Sequence, residues 1–451
     1  MSRMLLLLFS VVSCLAQQVL PNSNVRVAIV GSGAGGASCA YYLRKFTDHQ
    51  FNVTIFEKNS YVGGRATNIN FDGVEAELGA SMFIEDNRIL YNAVGELNLS
   101  FANSSSESTS FALWNGESFD YILEPSSNSW VTYLKLVWRF GLYSIAAVKY
   151  QQQTAMKTFL TEYYEKYYPL SSLNLVTDLL KYTSVTAKEL FNSIWVGANY
   201  QSFVQSLTRN NYAQNLGTIH SLGSLVLLSG ESSFHVEGGN NQIFQKWIQA
   251  SDADLRLNTT VTAISKTLSG YVVSYGSHTE EFDIVVLAGP YDQLNIQTNI
   301  SVSLVSAEYV HLFVTLVRTP NLLSESSYFN NKKTPQTILT TGGDEFNSIG
   351  LVGYSEKFQE YVYKVFSFQT LDEQLLHDIF GNYSNKYEKI WYSYPYLNPI
   401  SRFDEFKLAE NLYYLNGMEQ FISTMETSSL AGATVAGLIA QGRNTTQITV
   451  P

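Results

Sequence analysis

Two cysteines and six histidines are all that 451 residues offer as soft metal ligands. His49, His220, His235, His278, His311 and His377 are scattered, and with two cysteines they cannot assemble a thiolate zinc site, so no metal is expected. Basic charge is scarce as well: 28 Lys and Arg stand against 39 Asp and Glu, with no basic block anywhere. A chain of net charge −11 without clustered cations is not built to neutralise phosphates, which excludes nucleic acid as a partner. Beyond the first residues no run is long and apolar enough for a transmembrane helix. What the chain does have is apolar and aromatic side chains, 45% and 14% of residues, ample for a large core. That composition excludes a disordered or fibrous protein. At roughly 150 residues per domain the length suggests about three units, or two interleaved ones.

Arg3, the apolar run Met4–Val12 and the small residues of Cys14-Leu15-Ala16 predict a signal peptide over residues 1–16. Its removal takes Cys14 and leaves Cys39 alone, so no internal disulfide is expected. Sequons at Asn98, Asn103, Asn258, Asn299, Asn382 and Asn444 are glycosylation candidates. A further sequon at Asn52 opens a strand expected to be buried, where a glycan would obstruct packing. The expected location is the secretory pathway. The lysosome, which many glycans would suit, is placed ahead of secretion.

Arg26-Val-Ala-Ile-Val30 reads as an apolar strand, and Gly31-Ser-Gly33-Ala-Gly35-Gly36 follows at once. Ala37–Lys45 reads as a helix and Asn52–Phe56 as a second strand ending at Glu57. That order is the context a dinucleotide-binding turn requires. Gly31 permits the tight turn, Gly33 lets backbone approach a pyrophosphate, and Gly36 lets the helix pack on the strand. The helix amides, with Ser32, Ala34 and Gly35 in the turn, face the anion. Glu57, 21 residues beyond Gly36, is placed for a ribose diol with Lys58 beside it. Cys39 reads as a small core residue of the helix.

The next segment distinguishes nicotinamide from flavin. Gly63-Gly64-Arg65-Ala66 brings a guanidinium that can neutralise a diphosphate, and Glu77-Leu-Gly79-Ala80-Ser81 forms a small-residue turn able to lie against a flat ring. Here the chain resembles the flavin-dependent amine oxidase and phytoene desaturase superfamily, and the remaining motifs follow in order. Val236-Glu-Gly238-Gly239-Asn240 precedes a helix containing Ile243, Phe244, Trp247 and Ile248. Leu257–Ile264, Tyr271–Tyr275 and Phe282–Pro290 then read as strands. In the superfamily the position of Val261 meets the adenine through its main chain. Leu412–Glu419 resembles the last flavin motif, a strand delivering Gly417 and Glu419 to the ribityl chain and pyrophosphate. Thr424–Ala440 is a small-residue helix expected to begin beneath the flavin. The resemblance implies bound FAD, non-covalent because the last motif has no Cys. It also implies an α/β fold, with a Rossmann-type FAD-binding domain (24–81, 234–290 and 406–451) and an interleaved α+β substrate-binding domain (82–233 and 291–405).

The substrate segments carry a closer resemblance, to the prenylcysteine oxidase (prenylcysteine lyase) family. Its blocks are Asn128–Gly141, Asn211–Gln214 with Leu222–Leu225, Thr337–Thr341, Asn347–Gly350, Tyr363–Ser367, Trp391 with Tyr394-Pro395, and Tyr413–Gly417. The resemblance implies oxidation of farnesyl- or geranylgeranyl-cysteine with O2 and water to cysteine, prenyl aldehyde and hydrogen peroxide, in the breakdown of prenylated proteins. Loss of hydride from the carbon joined to sulfur is chemically reasonable because that carbon is also allylic. An aromatic channel would hold the tail, at roughly 0.8 kcal/mol per buried CH₂.

Trp130–Ile145 has apolar residues at helical spacing, with Lys135 and Arg139 on one polar side. It reads as a buried helix, a tunnel wall, or a face for peripheral membrane or lipid contact. His220, His235 and His311 read as structural rather than proton-carrying, and Arg318 as a weak candidate for a carboxylate. No catalytic side chain is assigned, and oligomeric state is left open. Two other readings stand beside this one: an amine oxidase or desaturase on the same scaffold, and a secreted flavin-fold carrier without turnover.

Overall fold

The computed structural model describes residues 25–47, 51–102, 110–124, 129–229, 233–323, 326–329, 334–343, 345–443 and 448–451. The expected signal peptide and the sequons at Asn103 and Asn444 lie outside them.

Val25–Val30 sits inside a six-stranded sheet. It pairs in parallel with Phe51–Phe56 on one side (Val27 opposite Val53) and with Ile284–Leu287 on the other (Ile29 opposite Val286). Asp254–Arg256 extends the sheet beyond Phe56, and Leu412–Tyr414 with Lys407–Ala409 completes it beyond Leu287. Parallel strands buried on both faces need near-continuous apolar runs, and Val27–Val30 and Ile284–Leu287 supply them. The crossover from the first strand to the second is the helix Ala34–Thr47. It packs on the last helix, Met425–Gln441, at touching distance: a Cβ on Gly432 would overlap the Gly35 carbonyl, and the Ser38 hydroxyl donates to Ser429 O at 2.6 Å. Its other flank meets Asn241–Ser251, where the Tyr41 and Trp247 rings stack at 5.8 Å. Cys39 is fully buried in this contact.

A second sheet orders His278–Phe282, Tyr271–Tyr275, Val261–Lys266 and Gln297–Thr298. A seven-stranded sheet runs Asn385–Pro395, Tyr309–Thr319, Glu360–Ser367, Ser348–Ser355, Thr337–Thr340, Phe111–Trp114 and Phe119–Leu123. The fold is α/β with a Rossmann-like unit, as the motif order predicts. Aromatic side chains of the helical layer pack ring on ring: Phe140 lies 5.1 Å from Phe203 and 5.9 Å from Tyr200.

Several local expectations need correction. The strand expected from Leu257 begins at Val261. In the last motif the strand ends at Tyr414, and Gly417 and Glu419 sit in the helical turn Gly417–Phe421 that follows it. Trp130–Ile145 is two helices, Ser129–Phe140 and Leu142–Phe159, broken at Gly141 with φ +81°. Only part of that helix pair is buried; one side faces solvent. Asn52 is exposed although its strand is internal, because its side chain is at the solvent end. The sequon residues Asn98, Asn258, Asn299 and Asn382 are exposed as well. The Asn299 amide is in use, accepting from Lys266 N at 2.8 Å. Among the described residues no helix is long and apolar enough to cross a membrane.

Candidate functional site

A cavity of about 460 Å³ opens along the carboxyl edge of the parallel sheet. That volume is within the range of cofactor and ligand sites. Gly31, Gly33, Ala34, Gly35, Glu57, Lys58, Gly64, Arg65, Gly79, Ala80, Val261 and Glu419 all line it. Ser32, Gly36, Ser81 and Gly417 do not line it. Ser32 is turned inward onto Glu57, and Gly417 packs beside Asp404, where a Cβ would come within 3.0 Å of the Asp404 Cβ.

The glycine turn divides its work. Gly31 has φ +112°, and a Cβ there would press on the Ala288 carbonyl at 2.6 Å; a Cβ on Gly36 would overlap the Gly31 carbonyl. These two positions let strand and helix approach. Gly33 differs: its Cβ would meet nothing closer than Gly63 O at 3.9 Å and would project into the cavity. The space kept free there lies at a helix N-terminus, which suits an anion. The Glu57 carboxylate is buried and binds its own turn. Oε2 accepts from Ser32 N (2.9 Å) and Oγ (2.8 Å), and Oε1 from Asn59 N (2.8 Å) and Nδ2 (2.7 Å). Four bonds fill the carboxylate's usual capacity. A ribose diol at Glu57 would therefore replace one of the side-chain donors.

Arg65 reaches across the cavity floor. Nη1 donates to Ser393 O at 2.8 Å and Nη2 pairs with Glu419 Oε1. Glu419 also accepts from the Tyr309 hydroxyl (2.8 Å) and Asn416 Nδ2 (2.7 Å). Burial opposes the guanidinium charge, but Glu419 and the neighbouring tyrosines raise the Arg65 pKa above its ordinary value. The Asn416 Oδ1 and Trp391 Nε1 atoms are buried at this wall without a hydrogen-bond partner. A polar ligand group fits such a wall.

The turn Glu77–Ala80 is clamped from behind. Asn240 N donates to Glu77 Oε1 at 2.7 Å and Asn240 Nδ2 to Ala80 O at 3.2 Å, which gives Val236–Asn240 its role. Lys364 Nζ donates to Glu77 O at 2.9 Å. Burial pushes the Glu77 carboxyl up to about 7 and the Lys364 ammonium down to about 8, the latter opposed by the Glu77 charge. In front of Gly79 lies Trp391, whose Cη2 would be 2.8 Å from a Cβ on Gly79.

The wall beyond Gly79 comes from Asn385–Pro395, contributing Lys389, Trp391, Tyr392 and Tyr394, with Leu312 from the neighbouring strand. Sequence reasoning placed only Trp391 and Tyr394 in a family block and missed Lys389, Tyr61 and Leu312. Nothing in their local spacing marks them. Thr424, Met425 and Ser428 also line the cavity, so the last helix begins against it, held by a capping box between Thr424 and Thr427.

The remaining candidates do not line the cavity. His220 is fully buried, its Nδ1 accepting from Gly223 N (3.0 Å) and Nε2 facing Gln420 O (3.1 Å); burial lowers its pKa to about 4. His311 is exposed and rests on Tyr392 at 5.1 Å, and His235 is exposed. Arg318 meets carboxylates of this chain, Asp72 at 2.9 Å and Glu360 at 3.3 Å.

Comparison with known proteins places this architecture. The sequence model described as prenylcysteine lyase matches residues 123–449, and one described as an NAD(P)-binding Rossmann-like domain matches 29–97. Farnesylcysteine lyase of Arabidopsis thaliana is 30% identical, over 93% of this chain and 88% of its own length. Human prenylcysteine oxidase 1 is 28% identical, over 93% and 89%. Among solved structures, putrescine oxidase bound to putrescine superposes with a TM-score of 0.66 at 15% identity, covering 92% of this chain and 99% of that one. Cyclohexylamine oxidase from Brevibacterium oxydans IH-35A gives 0.65 at 15%, covering 93% and 99%. At such identity these two establish the fold alone.

Proposed function

Because the chain belongs to the prenylcysteine lyase family, we propose that it is an FAD-dependent thioether oxidase that cleaves farnesyl- or geranylgeranyl-cysteine. The observation that carries this reading is the single cavity joining the glycine turn and Glu57 at one end to the Trp391–Tyr394 wall at the other.

In this reading Glu57, Lys58 and Val261 hold the adenosine, while the turn Gly31–Gly35 and Arg65 take the diphosphate. Gly79, Ala80 and the N-terminus of Met425–Gln441 border the ring. FAD is bound non-covalently and, when present, supplies the hydride acceptor that O2 restores with release of hydrogen peroxide. The chain's own residues bind and orient. Leu312, Ile390, Trp391 and Tyr392 offer the prenyl tail an apolar wall, and keep the sulfur-bearing carbon where hydride can leave. Loss of that hydride gives a cation shared by sulfur and the adjacent alkene. Water adds to the carbon, and the hemithioacetal collapses to prenyl aldehyde and cysteine. No side-chain nucleophile is required. The role in degrading prenylated proteins, the secretory-pathway and lysosomal location and the glycosylation belong to the same proposal. Incubating the purified, FAD-loaded chain with farnesylcysteine in air is expected to release free cysteine and hydrogen peroxide in equal amounts. Failure to release cysteine would overturn the assignment.

A further inference from the structure

We propose that the outward side of the helix pair Ser129–Phe140 and Leu142–Phe159 docks on an anionic lipid surface. Among the described residues seven large hydrophobic side chains are more than 60% exposed: Trp130, Leu134, Trp138, Tyr143, Tyr150, Trp195 and Leu268. Five sit on this helix pair. A sixth, Trp195, lies in a loop bonded to it, since the Tyr143 hydroxyl donates to Ile194 O at 3.1 Å and Gly197 N to Ser144 Oγ at 3.0 Å.

Trp130, Leu134 and Trp138 recur every four residues and so form one stripe on the first helix. Trp138 is 89% exposed and Trp195 83%. Phe140, Val148 and Ala155 take the other side into the core. The pair thus carries apolar side chains on two sides, one packed into the core and one exposed. Trp195 is held outward on a left-handed backbone, φ +62°, which a bulky residue adopts only when its surroundings impose it.

Charge selects the occupant. Residues 129–159 contain Lys135, Arg139, Lys149 and Lys157 and no Asp or Glu, in a chain whose acids outnumber its bases by 39 to 28. Indole and phenol rings with basic side chains beside them match the boundary between acyl chains and anionic headgroups. The helices are too polar and too short to span a bilayer, so contact is peripheral. This inference goes beyond the catalytic reading and survives its failure, because its test reads partition and not turnover.

The experiment is co-sedimentation of the purified chain with vesicles of phosphatidylcholine alone, and of phosphatidylcholine with phosphatidylserine. The parent is expected to partition about tenfold more strongly onto the anionic vesicles. The triple variant Trp130→Ser, Leu134→Ser, Trp138→Ser should lose about tenfold or more of that binding with an unchanged melting temperature, because these side chains are already exposed. Lys135→Glu should lose about threefold. Four results would overturn the proposal: no sedimentation of the parent, equal partition onto neutral and anionic vesicles, full binding by the triple variant, or a lipid-free dimer that the triple variant converts to monomer while neither protein binds vesicles.

Discussion

Arg65 and Glu419, 354 positions apart, close into an ion pair at the floor of the cavity, with the Tyr309 hydroxyl on the second carboxylate oxygen at 2.8 Å. Glu419 is 1% exposed and Arg65 31%. The carboxylate therefore depends on the guanidinium, while Arg65 keeps an edge toward the cavity. Arg65→Ala leaves a buried charge unpaired and should cost about 2–4 kcal/mol in urea denaturation, somewhat less than a fully buried pair because Arg65 is partly wet. The same variant should retain less FAD through desalting than the parent.

Gly79 has no room for a side chain between the Arg65 carbonyl and the Trp391 ring. Gly79→Ala forces the turn off the Arg65 carbonyl and the indole off the turn, at about 1–3 kcal/mol. Both the denaturation midpoint and FAD affinity should fall. Fluorescence titration with FAD alongside a thermal melt reads the two, and a variant indistinguishable from the parent in both would contradict the described packing.

Glu57 accepts four hydrogen bonds from Ser32 and Asn59 and so fixes the turn as well as the end of the cavity proposed for the adenosine. Glu57→Ala removes all four and should abolish FAD retention. Glu57→Gln loses acceptor capacity and is expected to be intermediate, with about a tenfold weaker Kd for each 1.4 kcal/mol lost. The measurement is equilibrium dialysis against FAD.

Glu426 reaches from the first turn of the last helix to the amides of Ile89 (2.9 Å) and Leu90 (3.0 Å). Burial pushes its carboxyl from 4.5 up to about 7, against those bonds and the Tyr164 hydroxyl. Because the folded value is the higher one, its stabilising contribution is complete below pH 4.5 and is lost as pH rises to about 7. His220 has the opposite sign: its folded value is lowered to about 4, so its contribution is present above pH 6.5 and lost as pH falls. Comparison with Glu426→Gln isolates the glutamate. The parent's advantage over the variant should shrink by up to about 3 kcal/mol between pH 4.5 and pH 7, read from urea midpoints. A gap independent of pH would contradict the assignment.

The glycine turn was legible in the sequence because its constraint is local: Gly31 and Gly36 answer to backbone within the turn or just beyond the strand beside it, and Gly33 keeps the cavity side of the turn open. The helix Met425–Gln441 was legible for a similar reason, since its small residues accommodate contact with Ala34–Thr47. Lys389 and Leu312 were not legible. They enter from adjacent strands of another sheet, and only the docking of that sheet against the cavity gives them a place. The helical turn at Gly417 was not legible: Leu412–Leu415 is an apolar run that announces a strand and not its end, and the backbone turns after Tyr414 so that Gly417–Phe421 aims Glu419 at Arg65. The exposed side of Ser129–Phe140 escaped a firm reading because periodicity reports an apolar stripe without saying whether protein or solvent lies against it.

The most direct measurement is the visible flavin absorbance of the purified chain, mixed without oxygen with farnesylcysteine and, separately, with a polyamine. The account predicts yellow protein, bleached by the thioether and untouched by the amine. Colourless protein that takes up no FAD, or bound flavin that farnesylcysteine leaves oxidised, would contradict it.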